Sequence, residues 1–456
     1  MTGWQRFCYG MGMGGGAIIS TFAGFMLAYY TIALHVNPAA AGAVIGISRV
    51  FDGISDLVAG RIVDRTKSRF GKARPWLLRM LFPTMICLVA AFAVPEHISE
   101  AAKIAYMFIV YNLLSTICFT MTSVPFATMA SLMTTNQYER GLNSIIGMSI
   151  SSIVSLLINA TALQLISALN GGETYAPYGW RVVSVLLAIA YGICVLLTFL
   201  FCREQTDSHA QERSARPVNI LRTLKALITN KYWVEYVIAL VSNTLGNAFI
   251  TGVCLYYAQF VLGDELLYSP MAVALLLSMF VGVISTSLFI KRLGKRNTAI
   301  IGLSILAYGT ILSGILPHNL TSSVITLVIR GFGAGFPSAL GNAVLQDTLT
   351  YGKWRSGFDM VGVGNAACSF TNKVGSGVAT ALLGGILSLG GFDSNAAVQS
   401  ASAVRTIQLS YSWFPLIFVL ITLTCFIVYR LDKEYDGYAK DLSEGRYGPD
   451  AQVPED

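Results

Sequence analysis

A chain of 456 residues in which 54% are hydrophobic and only 12% charged has too few charges to cover a water-facing surface, since soluble domains carry about a quarter of their residues as charge. The net charge of +7 sits in short clusters between apolar stretches, which excludes a nucleic-acid-binding face as its explanation. The eight cysteines stand singly, with no CxxC pair and no histidine cluster, so neither a disulfide framework nor a structural metal site is indicated.

Apolar stretches able to cross a hydrocarbon core of about 30 Å as helices recur along the chain. Turn residues and charge clusters predict spans at 8–33, 40–63, 75–94, 104–132, 142–169 and 182–201, and then at 232–262, 271–290, 299–316, 324–345, 360–389 and 409–429. The first run begins almost at the N-terminus without a basic region and is too long for a signal core, so the mature chain is expected to keep it. The expected fold is an all-α membrane protein with twelve transmembrane helices. One six-helix half covers 1–202, a central loop 203–231 and a second six-helix half 232–430, and an acidic segment at 431–456 is expected to be a mobile tail.

Basic residues near span ends stay in the cytoplasm during insertion. Arg65, Lys67, Arg69, Lys72 and Arg74 follow the second span; Arg213, Arg216, Arg222, Lys225 and Lys231 lie between the sixth and seventh; Lys291, Arg292, Lys295 and Arg296 follow the eighth. The opposite loops carry little more than Lys103 and Arg405. Both termini are therefore expected in the cytoplasm, in a multi-pass protein whose solvent is the lipid bilayer of the cytoplasmic (inner) membrane. A Gly-Lys pair follows the second span of each half (Gly71-Lys72, Gly294-Lys295), an echo placed where duplicated transporter halves would show one.

Ionisable residues inside a bilayer cost about 3 kcal/mol or more and mark functional sites or fixed partners. In the second span Asp52 and Asp56 share one face at i, i+4, with Arg49 a turn before Asp52. Two carboxylates this close need something positive beside them to stay ionised. A proton, Na⁺ or Li⁺ would serve, with Ser55 as a further oxygen ligand. The alternative is an architectural ion-pair cluster, in which Arg49 neutralises Asp52 and Asp56 caps the basic loop. Lys373, deep in the eleventh span, reads either as a coupling group drawn to these carboxylates or as a static salt bridge. Arg79 and Arg330 read as structural.

The four histidines, His35, His97, His209 and His318, fall in loops or at span edges, leaving carboxylate as the carrier of any transported proton. The glycine runs 10–16 and 331–335 lie inside apolar spans and suit helix contact or bending, not a phosphate cradle. ATP-driven transport is not indicated, nor is an enzyme, since no cluster has catalytic spacing. Asn243 and Asn247, Thr120 and Ser123, and Asn365 and Asn372 either line a solute path or bond neighbouring helices.

The stretch Gly60-Arg-Ile-Val-Asp64-Arg65-Thr-Lys-Ser-Arg69 resembles the loop that follows the second helix in the major facilitator superfamily, which makes Asp64, Arg65 and Arg69 a gating loop. The longer runs Asp52 to Gly60 and Ser68-Arg69-Phe70-Gly71-Lys72-Ala-Arg-Pro75-Trp76 resemble the glycoside–pentoside–hexuronide:cation symporters, relatives of the melibiose carrier. The likeness continues through Tyr9-Gly10, Val124-Pro125-Phe126, Glu139-Arg140, Tyr256-Tyr257 and Asp347 to Trp354. It implies a major facilitator fold and symport of a sugar, glycoside or hexuronide with H⁺, Na⁺ or Li⁺, without a cofactor. Asp52, Asp56, Ser55 and Thr120 would be the cation ligands, Lys373 and Arg49 the coupling residues, and Ser123, Asn243, Asn247 and Asn372 the substrate contacts. The same fold without coupling would be a facilitator or exchanger.

The sequence also departs from the galactoside-carrying relatives. Ala17 and Ser123 stand where those have acids, Ala127 where they have a stacking tryptophan, and Ile146-Gly147 where a helix 5 arginine is expected; Asp359 and Val361 differ before the eleventh span. Removing two carboxylates lowers repulsion of an anionic substrate, which points toward a uronide.

Overall fold

The computed structural model describes residues 2–66, 68–95, 98–134, 137–204, 220–357, 360–396 and 398–448. The long helices of the first half are α1 (Gly3–Ala33), α2 (Pro38–Arg65), α3 (Arg74–Ala91), α4 (Glu100–Met129), α5 (Gln137–Leu169) and α6 (Pro177–Phe201). Those of the second are α7 (Lys231–Phe260), α8 (Glu265–Ile290), α9 (Arg292–Ile315), α10 (Leu320–Ser356), α11 (Val361–Leu389) and α12 (Ala401–Val428). Among the described residues, ten of these are long and apolar enough to cross a membrane. The other two, α2 and α11, hold Arg49, Asp52 and Asp56 in one case and Lys373 in the other.

Helix ends follow local chemistry. Thr2 and Gln5 form a reciprocal capping box at the start of α1. Asn37 caps α2 ahead of Pro38, a residue suited to the first helical turn because its missing N–H has no partner there. Gly357 closes α10 at φ 80°, the left-handed conformation that glycine adopts without penalty. Two stretches depart from α geometry, Tyr29–Ala33 in α1 and Leu113–Phe119 in α4, each a π-helical segment. The loop expected between the eighth and ninth spans is instead a single kink at Gly294 (φ 76°).

The chain divides into two compact units, one of Met1–Ser214, Ala258–Val273 and Thr380–Thr406, the other of Ala215–Tyr257, Ala274–Ala379 and Ile407–Asp456. In the first, Phe22, Phe92 and Trp180 are fully buried, and the last two stack at 5.7 Å with their planes 6° apart. Offset aromatic stacking of this kind adds about 1 kcal/mol to the burial itself. Tyr29 and Tyr30 donate to the carbonyls of Phe92 and Ala91 at 3.0 and 2.9 Å, so their hydroxyls are satisfied in an apolar core. At another edge of this unit a Cβ on Gly42 would lie 2.8 Å from the Thr380 carbonyl oxygen, which only glycine permits.

The Gly-Lys echo has a structural counterpart in each unit. Gly71 (φ 103°) and Gly294 (φ 76°) both take a positive φ. The Glu204 carboxylate accepts the backbone N–H groups of Lys72, Ala73 and Arg74 at 2.8, 2.9 and 2.8 Å. In the other unit Asp432 accepts from the backbone N–H of Arg296 at 3.2 Å. Each carboxylate follows the last long helix of its half and meets the start of the helix after the basic turn, where orphan N–H groups and the helix dipole favour an anion. Glu204→Ala is expected to cost about 2 kcal/mol, the range for hydrogen bonds to a charged group. A lower thermal unfolding midpoint of the purified protein, partly restored in Glu204→Gln, would show it.

The tail expected to be mobile is in part a docked helix, α13 (Leu431–Ser443). Leu431 is fully buried, Tyr438 packs on Trp354 at 4.5 Å, and Gly448 donates its backbone N–H to the Trp354 carbonyl at 2.9 Å. Glu434 accepts from Tyr438 and Tyr232, each at 2.9 Å, and these two hydroxyls, Tyr438 first, hold its carboxyl below the usual carboxylate range. Composition alone suggested a solvated end because the apolar and aromatic partners of α13 lie on distant parts of the chain.

Candidate functional site

In the first unit α2 lies against α4, and the π-helical segment of α4 meets the acidic stretch of α2. Such segments add a residue to the turn and often occur at functional sites. Here Ser115 and Thr116 both face Asp52, which is 1% exposed. Ser115 Oγ donates to Asp52 Oδ2 at 2.6 Å and Thr116 Oγ1 to Oδ1 at 2.5 Å. Arg49 Nη1 stands 3.6 Å from Oδ2, with its guanidinium 5.9 Å from the centre of the Tyr111 ring. Two hydroxyl donors and one guanidinium thus surround the Asp52 side chain.

Asp56 has a different setting. Thr120 Oγ1 is 3.2 Å from Asp56 Oδ1, 3.2 Å from Ser55 Oγ and 3.3 Å from the Ser115 carbonyl oxygen. Ser55 Oγ is also 2.9 Å from the Asp52 carbonyl oxygen. Carboxylate, hydroxyl and carbonyl oxygens thus converge on the Thr120 and Ser55 hydroxyls. These are the ligand types that hard cations take. Asp56 and Ser55 are half-buried and Thr120 is buried.

Behind this group Asn112 orders the hydroxyls. Its Nδ2 donates to Ser48 Oγ at 2.8 Å and its Oδ1 lies 3.2 Å from Thr116 Oγ1. The sequence reading missed Ser48, Asn112, Ser115 and Thr116. A signal was present: Asn112, Thr116 and Thr120 recur every four residues in an otherwise apolar span. The π-helical segment that adds Ser115 to the same face had no marker.

The remaining expected residues are distributed more widely. Ser123 is half-buried, and its Oγ turns back to the Thr120 carbonyl at 3.4 Å. In the second unit Asn247 Nδ2 donates to the Asn243 carbonyl at 2.9 Å, and Thr244 Oγ1 donates to Asn372 Oδ1 at 2.8 Å. That bond joins α7 to α11 beside the half-buried Lys373, and Gln346 reaches Asn365 Oδ1 at 3.2 Å from α10. These polar groups thus bridge helices as well as offering a polar face. Arg65 and Arg69 are exposed, and Arg69 lies 4.8 Å over the Phe70 ring. The side chain of Asp64, and Lys67, Arg213, Arg216 and Asp359, lie outside the described residues.

Residues 8–433 match the family model described as MFS/sugar transport protein. The isoprimeverose transporter of Lactiplantibacillus pentosus is 27% identical over 94% of this chain and 88% of its own length. The glucuronide carrier protein homolog of Escherichia coli (strain K12) is 28% identical over 90% of this chain and 89% of its own. A putative glycoside/cation symporter of the same organism is 25% identical over 98% and 96%. Among solved structures, a D-xylose-proton symporter superposes with a TM-score of 0.64 at 14% identity, covering 95% of this chain and 98% of that one.

Proposed function

The chain belongs to the MFS/sugar transport protein family, and on that premise we propose that it carries a sugar, glycoside or hexuronide together with a cation bound at Asp56, Ser55 and Thr120. The observation that carries this reading is the convergence of the Asp56 carboxylate, the Ser55 and Thr120 hydroxyls and two backbone carbonyls, oxygen ligands of the kind that Na⁺ or Li⁺ takes, with a carboxylate for a proton. Asp52 has the complementary role. Held by Ser115, Thr116 and Arg49, it fixes α2 against α4 and adds negative potential to the site. Cation binding would then favour solute binding, for which Asn243, Asn247, Asn372 and Ser123 are the candidate contacts, and both would cross by alternating access.

Both termini belong on the cytoplasmic side of the inner membrane, which the basic clusters after α2 and α8 support. The absence of acids at Ala17 and Ser123, with a glucuronide carrier homolog among the relatives, supports an anionic sugar as the solute. One observation favours a second reading: the Arg49–Asp52 ion pair suits an uncoupled facilitator whose α2 acids are architectural.

Membrane vesicles loaded with Na⁺ or proton gradients separate the two. Uptake of a uronide above the external concentration, dependent on one gradient, supports symport; equilibration without accumulation under both supports the facilitator. Uptake of neutral glycosides alone would refute the uronide assignment and leave the coupling question to the gradient arms.

A further inference from the structure

A carboxylate of the second unit is used by neither the cation site nor the solute contacts. Glu235 lies one turn into α7, and its side chain is half-buried. Its Oε2 is buried and has no hydrogen-bond partner among the described residues. Lys231, one turn before it on the same face, carries its ammonium over the Tyr232 ring at 4.5 Å instead. The carboxylate borders a groove of about 500 Å³ between α7 and α12, whose other walls include Ile238, Ile417, Leu420, Ile421 and Val428. These apolar side chains are all exposed.

Depth and length fit this groove to one lipid leaflet. α7 has 30 residues, about 45 Å of helix, so its first turn reaches past a hydrocarbon core of about 30 Å into the headgroup layer. From Val428 back to Ile417 the groove follows one face of α12 for about 16 Å, close to half of that core and so the depth of one leaflet's acyl chains. Charges stand at its polar end: Lys231 and Arg430 are exposed there, and both act on the Glu434 carboxyl of α13. These two cations suit a phosphate, while the idle carboxylate requires a cationic donor to offset its desolvation. A zwitterionic headgroup carries both charges. Among such headgroups a primary ammonium offers three N–H donors to a carboxylate, whereas a quaternary ammonium offers none.

We propose that this groove binds a phospholipid with a primary-ammonium headgroup, phosphatidylethanolamine, its ammonium on Glu235, its phosphate between Lys231 and Arg430, and one acyl chain along α12. The lipid ties α7 to α12 at the end where α13 docks, and binding it stabilises the folded protein by mass action. This role stands apart from the transport reading.

The test is thermal unfolding of the delipidated full-length protein in detergent, with phosphatidylethanolamine or phosphatidylcholine of identical acyl chains added stepwise. In the unaltered protein phosphatidylethanolamine is expected to raise the midpoint by several degrees, saturating at a several-fold lower concentration than phosphatidylcholine needs. Glu235→Gln keeps the side-chain volume and should lose that preference, responding to the two lipids alike. Equal responses in the unaltered protein, or a preference kept in Glu235→Gln, overturn the proposal. Should the glutamine variant fail to fold, Ile421→Trp, which fills the exposed groove, takes its place: loss of the response to both lipids supports the site, and an unchanged response refutes it. Native mass spectrometry of the unaltered protein identifies the occupant. Phosphatidylethanolamine retained on the monomer in preference to phosphatidylcholine supports the assignment; equal retention, or a dimer that excludes lipid and so places a second copy in the groove, refutes it.

Discussion

Asp56→Asn is expected to reduce potential-driven solute accumulation to roughly onefold from about 50-fold, the ratio for one charge moving down about 100 mV, worth about 2.3 kcal/mol at 1.4 kcal/mol per decade. The amide keeps the volume of the carboxyl and can still accept from Thr120, which stands 3.2 Å away, so packing is nearly conserved while the ion loses its charged ligand. Folding should survive, with an unfolding midpoint within a few degrees of the unaltered protein. Asp52→Asn separates the two acids. Because Asp52 is 1% exposed and accepts from two hydroxyls beside Arg49, its amide would turn a donor toward one of those hydroxyls and leave the guanidinium without its carboxylate. That variant should lose stability as well as accumulation. Vesicle uptake under a potassium-diffusion potential, set beside thermal unfolding, measures both. Full accumulation in Asp56→Asn would end the claim that Asp56 holds the travelling ion.

Much of the frame was legible because membrane helices announce themselves through composition: a backbone in lipid must bond internally, and a long apolar run that can coil into a helix supplies that. The span boundaries followed from Asn, Pro, Gly and basic residues whose local chemistry is strong, as at Asn37-Pro38 and Gly71. The acids of α2 were visible for the same reason, since a carboxylate in an apolar run has few innocent explanations. What stayed hidden depended on distant pairings. The three N–H groups on Glu204, the docking of α13 on Trp354 and the hydroxyls of Ser115 and Thr116 on Asp52 each join residues far apart in sequence. The π-helical segment Leu113–Phe119 has no distinctive composition, and the face it presents is set by packing against α2. Arg330 shows the same limit: its identity was plain, but the Tyr411 carbonyl and ring against which it packs lie on a helix far along the chain.

Lys373→Met is expected to abolish gradient-driven accumulation while leaving exchange of solute across the membrane within a few-fold of the unaltered protein. Lys373 is half-buried in α11, beside Asn372, which accepts from Thr244 of α7. Holding an ammonium there costs about 3 kcal/mol, a penalty a transporter offsets only where the charge is used. Coupling demands that the carrier move poorly when half-loaded, because a carrier that reorients freely with one ligand dissipates the gradient instead of transmitting it. A lysine that neutralises negative charge when the ion is absent supplies that restraint. Its removal should therefore uncouple the two fluxes more than it weakens solute binding. Methionine preserves the length and apolar stem of the side chain, so a packing role would be largely spared. Lys373→Arg restores the charge with a different donor geometry and should recover part of the accumulation. If Lys373→Met accumulates solute normally, the charge is structural; if it loses exchange together with accumulation, Lys373 acts in solute binding or reorientation and coupling must be sought elsewhere among the polar groups of α7, α10 and α11.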